Sequence, residues 1–206
     1  IEHPELIRQV LLDYIRARTD IGTSASYQAT IPGLIAHGLT ESQSADLLRL
    51  SVRLVQQARD HACHDDAWHP DRPRPLVAAS AGSYGAYLAD GSEFRGDYEL
   101  SAQELCDWHR PRLEVLAASG ADVIAFETVP LLREGEAIAR LMEEFPETAA
   151  WLSFSCRDER RLCHGEPLSE AWRITFEAAE QGDLSAGQEV LLYSNVHVQH
   201  DLPFAY

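Results

Sequence analysis

The residues that could do chemistry in this 206-residue chain fall in four polar clusters, each where a short apolar run gives out. The longest is PLVAASAGSYGAYLADGSEFRGDY, residues 75–98. Its apolar start, Pro75 to Ala79, predicts a buried strand. The rest reads as a glycine-rich loop in which Gly82, Gly85, Gly91 and Gly96 alternate with Ser83, Tyr84, Tyr87, Asp90, Glu93, Arg95, Asp97 and Tyr98. Glycines let backbone approach a ligand closely, and aromatic and charged side chains give the ligand something to bind. A loop of this length inside a compact domain is usually functional. The second cluster is Ser26-Tyr27-Gln28, after the weak strand signal that begins at Ile21. The third is Glu127-Thr128, which closes the apolar run Val123–Phe126. The fourth is Ser153 and Ser155, at the end of the run 149–154.

Thiols and imidazoles suggest a different chemistry, metal binding. His61, Cys63, His64, Asp65 and His69 crowd into residues 61–70, and Cys156, Cys163 and His164 into 156–168. Neither spacing matches a standard zinc pattern. Both segments read as polar, charged loops, and no metal ligand is assigned among them.

The elements that must position these clusters alternate between helix and strand. An apolar stripe of Leu6, Ile7, Val10, Leu11, Tyr14 and Ile15 predicts a helix over 4–18, with Pro4 in its first turn. Residues 31–38 read as a short helical turn closed by Gly38. Thr40 with Gln43 forms a capping box that opens a helix running to about Ala62. Ser101 with Glu104 forms another, opening a helix that turns Leu105, Trp108, Leu113 and Leu116 inward and ends at Gly120. Residues 122–130 are the clearest strand, and a helix with Ala137, Ile138, Leu141 and Met142 follows it. A further helix is expected around 169–181 and a strand near Val190 to Tyr193.

Alternating helices and buried strands indicate parallel β/α units in a single domain. An open doubly wound sheet and a (β/α)8 TIM barrel both satisfy the pattern. No G-x-G-x-x-G opens a helix after a strand, which disfavours dinucleotide binding. In a barrel the four clusters would converge on the rim at the C-terminal strand ends, where such enzymes keep their chemistry. Only about five strands can be counted, however, against the eight that a barrel needs.

The formal net charge of −16 argues against a nucleic-acid partner and against an anionic membrane surface. Four cysteines in a chain of this length do not make a disulfide framework, which suggests a reducing, cytoplasmic compartment. The chain opens at Ile1-Glu2-His3-Pro4 without an initiator Met, and is expected to be part of something longer.

ASYQAT (25–30), GAYLADGSEFRGDY (85–98), HRPRLEVL (109–116), FETVP (126–130) and FSCRD (154–158) resemble the homocysteine S-methyltransferases, in particular their S-methylmethionine-using branch. The resemblance spans residues 3 to about 168. It implies a (β/α)8 barrel, incomplete here in its first unit and its C-terminal units. It implies transfer of a methyl group from S-methylmethionine or S-adenosylmethionine to the thiol of homocysteine, giving methionine. Glu127 matches the family glutamate that holds the homocysteine ammonium. Thr128, Ser26, Tyr27, Gly82, Ser83 and Tyr84 would line the same pocket. The resemblance also implies zinc held by three cysteine thiolates, but the family's zinc-binding motifs and its opening aspartate motif are absent from this chain. None of the four cysteines is assigned as a ligand, and no catalytic residue is named. A non-catalytic relative that binds an amino-acid or sulfonium ligand, or acts as a scaffold, fits the same residues. An incomplete barrel exposes strand edges, so self-association is expected.

Overall fold

The computed structural model of the chain describes residues 2–65, 68–69 and 71–171 and the backbone of 191–196. Among the described residues five strands run parallel: β1 (Ile21–Thr23), β2 (Leu76–Gly82), β3 (Val123–Val129), β4 (Ala150–Asp158) and β6 (Leu191–Val196), with β6 on β4. The registers pair Gly22 with Val77, Ala79 with Ile124, Ala125 with Trp151 and Leu152 with Leu192. A two-residue strand, β5 (Arg161–Leu162), turns back antiparallel on the end of β4. The result is an α/β fold with a curled, largely parallel half-barrel sheet.

Helices α1 (Pro4–Arg16), α2 (Ile31–Ala36), α3 (Glu41–Cys63), α4 (Tyr84–Leu88), α5 (Ala102–Ala117) and α6 (Leu132–Met142) fill the connections. Both expected capping boxes form. Thr40 and Gln43 bond reciprocally at the start of α3, and Ser101 and Glu104 do so at the start of α5. Each satisfies two backbone or side-chain groups that a helix start leaves open. Among the described residues no helix is long and apolar enough to cross a membrane.

β2 is buried on both faces, and the side-chain alternation of a strand divides its residues by role. Val77, Ala79 and Ala81 join the main core with Ile124, Phe126, Leu152 and Phe154 from the sheet, Leu48, Val52 and Val55 from α3, Leu113 and Leu116 from α5, and Ile138, Leu141 and Met142 from α6. Each large apolar side chain so buried contributes about 1.5–3 kcal/mol relative to exposure. The alternate positions of β2, Ala78, Ser80 and Gly82, are small, and their side carries the polar groups described below.

Four expectations need correction. The α1 stripe was drawn too wide: α1 buries Leu12 and Ile15 against α3 and β1, while Leu6, Val10 and Tyr14 are 54–64 % exposed. Residues 80–98 are not one loop: β2 continues to Gly82, α4 follows, and a 3-10 turn forms at Ser92–Phe94. Residues 156–168 are no free solvated loop either. β4 runs on to Asp158 and makes a hairpin with β5, so Ser153 and Ser155 are buried within the strand and not beyond its end. The His164 amide donates to the Pro130 carbonyl, and Glu166 accepts from the amide of Leu132 at the start of α6. The expected helix at 169–181 begins at residue 168, but its remainder and the tail from 197 lie outside the described residues.

Candidate active site

Because β1, β2 and β3 are parallel, their C-terminal ends share one rim, and the polar residues gather there. Ser80 Oγ donates to Glu127 Oε2 at 2.6 Å. Ser26 Oγ donates to the Ser80 carbonyl at 2.7 Å and lies 2.7 Å from Ser24 Oγ, which in turn accepts from the Ser80 amide. Ser24, Ser26 and Ser80 are all buried, so this ladder is a fixed platform under a half-buried carboxylate. Glu127 does not cap the following helix, whose first amide is met by Glu166.

Thr128 has φ +60°, in the left-handed region. A β-branched residue there is a real outlier, costing of order 1–2 kcal/mol. The β3–β4 register slips at the same place, between Phe126 and Val129. Such irregularities re-aim side chains. Here Glu127 reaches Ser80 on β2, and the next residue, Thr128, comes near the Tyr27 hydroxyl beyond β1. A regular strand would send consecutive side chains to opposite faces.

Tyr27 is seated by Gly82. The Gly82 amide donates to the Tyr27 carbonyl at 2.9 Å, and a Cβ at residue 82 would stand 2.6 Å from that oxygen and 2.8 Å from the tyrosine ring. Only glycine permits this approach. Burial raises the Tyr27 pKa to about 12, and the charges of Glu93, Glu127 and Glu134 add to the rise against the opposing influence of nearby Thr128. Tyr27 therefore stays a neutral phenol at physiological pH.

Glu127, Thr128, Tyr27 and Gly82 thus form one constellation, with Ser26 beneath it. Ser83 and Tyr84 are placed differently. Ser83 is buried and its hydroxyl caps α4 by accepting from the Ala86 amide. The Tyr84 ring packs among Tyr87, Tyr98 and Trp108, with centroids 5.1–5.7 Å apart.

The sequence reading missed a buried network behind the lid formed by α4 and the 3-10 turn. Glu134, fully buried in the first turn of α6, accepts from the Tyr84 amide at 2.7 Å, from His109 Nε2 at 2.8 Å and from the Tyr98 hydroxyl. Arg112 donates to the Gly82 carbonyl at 2.6 Å and to His109 Nδ1 at 2.9 Å. Guanidinium only donates, so Nδ1 is the acceptor and His109 is neutral with its proton on Nε2. Burial also lowers the His109 pKa, and that of Arg112 to about 10, which leaves the guanidinium charged. The network ties both ends of the lid, at Tyr84 and Tyr98, and the end of β2 to α5 and α6. Its signal was present in the sequence: His109 and Arg112 share the buried stripe of α5 with Leu105, Leu113 and Leu116, and Glu134 shares that of α6 with Ala137, Ile138 and Leu141.

The thiols do not assemble a metal centre. Among the described residues no three His, Cys, Asp or Glu side chains are grouped to hold an ion. Cys106 Sγ donates to the Ala137 carbonyl. Burial raises the pKa of Cys106 and Cys156, and that of Cys163 to about 11, which favours thiol over the thiolate that a metal requires.

The half-barrel thus sets a carboxylate, with a strained residue next to it, at a strand end beside a glycine-rich lid, and comparison with known proteins gives the family. The family model for homocysteine S-methyltransferase matches residues 1–188, and the chain belongs to that family. It is 49 % identical over 170 residues to the homocysteine S-methyltransferase YbgG of Bacillus subtilis, covering 82 % of this chain and 54 % of that protein. The homocysteine S-methyltransferase of Escherichia coli is 48 % identical over 170 residues, with the same coverage. Among solved structures, the metallated form of the homocysteine methyltransferase MmuM from Escherichia coli superposes with a TM-score of 0.82 at 44 % identity, covering 89 % of this chain and 62 % of that one. The chain spans about half the length of the curated relatives it matches.

Proposed function

We propose that the protein carrying this chain transfers a methyl group from a sulfonium donor, S-methylmethionine or S-adenosylmethionine, to the sulfur of homocysteine, and that this chain supplies the amino-acid-binding half of the site. The observation that carries the reading is Glu127. Its carboxylate is anchored through one oxygen by Ser80 at the rim, is half-buried, and stands beside Tyr27 and Thr128. A positioned carboxylate of this kind makes strong charge-assisted hydrogen bonds to an ammonium group.

In this mechanism Glu127 grips the homocysteine amine, and the rigid serine ladder fixes where the acceptor sulfur points. Tyr27, neutral and seated against Gly82, bounds the pocket on the β1 side. The thiol of homocysteine releases its proton to solvent, and the resulting thiolate attacks the donor methyl in line. The S–CH3 bond of the sulfonium breaks, its electron pair stays on the departing sulfur, and the leaving group is a neutral thioether that needs no acid. Alignment of the three reacting atoms is the main catalytic demand. The family resemblance implies zinc and a solved relative is metallated, yet the described side chains do not fit a metal site, so no step is assigned to a metal. A second reading, a ligand-binding protein without turnover, uses the same pocket residues.

Calorimetric titration separates these readings. Homocysteine binding is expected, and Glu127→Gln is expected to weaken it on the order of 10- to 100-fold, the range for losing a charged hydrogen-bonded pair. Unchanged affinity in the variant would refute the role of Glu127. Formation of methionine from S-methylmethionine distinguishes the enzyme from the binder.

A further inference from the structure

Glu93 is a carboxylate the proposed chemistry has not used. It lies in the 3-10 turn at Ser92–Phe94, which packs against α4 and touches β3 and β4. Its Oε2 is shielded from solvent and has no hydrogen-bond partner. That is costly for a carboxylate oxygen and calls for an explanation.

The turn is built to hold Glu93 where it is. At Gly85 an added Cβ would meet the Glu93 amide nitrogen at 2.5 Å and its Cα at 2.8 Å, so glycine is what allows the turn to close onto α4. Asp90 Oδ1 accepts from the Ser92 amide at 2.9 Å and from its hydroxyl at 2.5 Å. Gly91 and Gly96, both at positive φ, bracket the turn. Arg95 is the adjacent cation, but its guanidinium is engaged by Asp97, the Asp90 carbonyl and Ser92. Among the described residues Glu93 makes no ion pair, although Arg95 feels its charge, and that charge also acts on the Tyr27 hydroxyl, which feels Glu127 as well.

We infer that Glu93 recognises the positive charge of the methyl donor, facing the sulfonium while Glu127 holds the acceptor amine. This rests on the methyl-transfer reading above. A sulfonium has no N–H or O–H on its charged atom, so its partner carboxylate needs no hydrogen-bond geometry, only proximity. An oxygen sheltered from water and unpaired within the protein is suited to that task, because a cation in a shielded site feels a stronger field than in water.

The charge argument also says which kinetic constant must change. As the methyl moves, the positive charge on the donor disperses and ends at zero. A carboxylate facing the sulfonium therefore stabilises the bound donor at least as well as the transition state. It contributes to donor affinity and to rejection of neutral thioethers, not to kcat.

The test compares S-methylmethionine with its neutral counterpart methionine, by calorimetric titration of the full chain and of Glu93→Gln and Glu93→Asp, with homocysteine titrated in parallel. Glu93→Gln is expected to weaken S-methylmethionine on the order of tenfold, to leave methionine and homocysteine affinity unchanged, and, where turnover is measured, to raise the donor KM with kcat retained. Glu93→Asp should keep part of the preference for the cation. S-methylmethionine binding equal to wild type in Glu93→Gln, with homocysteine still bound, would overturn the inference while leaving the methyl-transfer reading intact. Failure of the wild type to bind either homocysteine or S-methylmethionine would overturn both.

Discussion

Replacing Glu134 tests whether the lid is held by a buried charge network. The carboxylate is fully buried and receives donors from Tyr84, Tyr98 and His109. Its charge balances Arg112 through the neutral imidazole. With bonds of 2.8 and 2.9 Å on either side of that ring, the two charges lie roughly 7 Å apart and interact by about 2–3 kcal/mol at an effective dielectric near 20. Glu134→Gln keeps the shape and an acceptor oxygen, and the Tyr98 hydroxyl can rotate to accept from the new amide. What is lost is chiefly the charge, so the expected cost is about 2–3 kcal/mol. Glu134→Ala also strands the donors and should cost about 3–5 kcal/mol, the range for breaking a buried ion pair. Equilibrium urea unfolding followed by tryptophan fluorescence is the assay, since Trp108 stands edge-on to His109 at 4.6 Å. Adding Arg112→Met to Glu134→Gln should cost less than the two single changes summed, because the guanidinium is then no longer left unpaired. A Glu134→Gln protein within about 0.5 kcal/mol of wild type, with additive double-variant behaviour, would refute the coupling.

Two further outcomes follow from the same structure. Burial lowers the His109 pKa below the ordinary value of about 6.5. The unfolded chain then binds the proton first, so the contribution of His109 is fully present above about pH 6.5 and declines as pH falls toward the lowered folded-state value. Urea midpoints measured from pH 7.5 to 5 should fall less steeply in His109→Gln than in wild type. At the end of α1, Arg18 has φ +75° and closes the helix with amide bonds from Arg18 to the Ile15 carbonyl and from Thr19 to the Tyr14 carbonyl. Glycine usually holds that position. Arg18→Gly is expected to stabilise the fold by about 1 kcal/mol and raise Tm by about 2–4 °C, whereas Arg18→Ala should leave it nearly unchanged.

Much of this was legible in the residues. The capping boxes at Thr40 and Ser101 and the apolar run before Glu127 led directly to α3, α5 and β3. Local chemistry settles those elements, and tertiary contacts only confirm them. The stripe of α1 misled because six apolar positions span more of a helix than one neighbour can cover, and packing on α3 selected the Leu12–Ile15 side. The segment 156–168 misled because its charges sit on a hairpin whose alternate residues, Cys156 and Leu162, are buried. At the candidate site, the sequence pattern placed Glu127 and Tyr27 near strand ends, as the fold has them, while the role of Glu127 comes from the family resemblance. The strain at Thr128 has no signature in composition, since nothing marks a threonine as left-handed before the chain is folded. Glu134, His109 and Arg112 were readable in principle: ionisable groups on otherwise apolar stripes require partners, and three such groups on two adjacent helices are one another's natural solution.

The contact between Gly82 and Tyr27 also governs how this pocket can be redesigned. One wall is jammed shut by main-chain atoms, so libraries randomised at residue 82 or 27 would mostly yield proteins with a broken rim. The 3-10 turn and α4 also meet through main-chain atoms at Gly85, but the exposed side chains of Leu88, Phe94 and Arg95 can be exchanged without touching either that contact or the serine ladder. If the proposed roles of Glu93 and Glu127 hold, variants for altered donor preference belong at these exposed positions, with Glu127 and its serine support left unchanged.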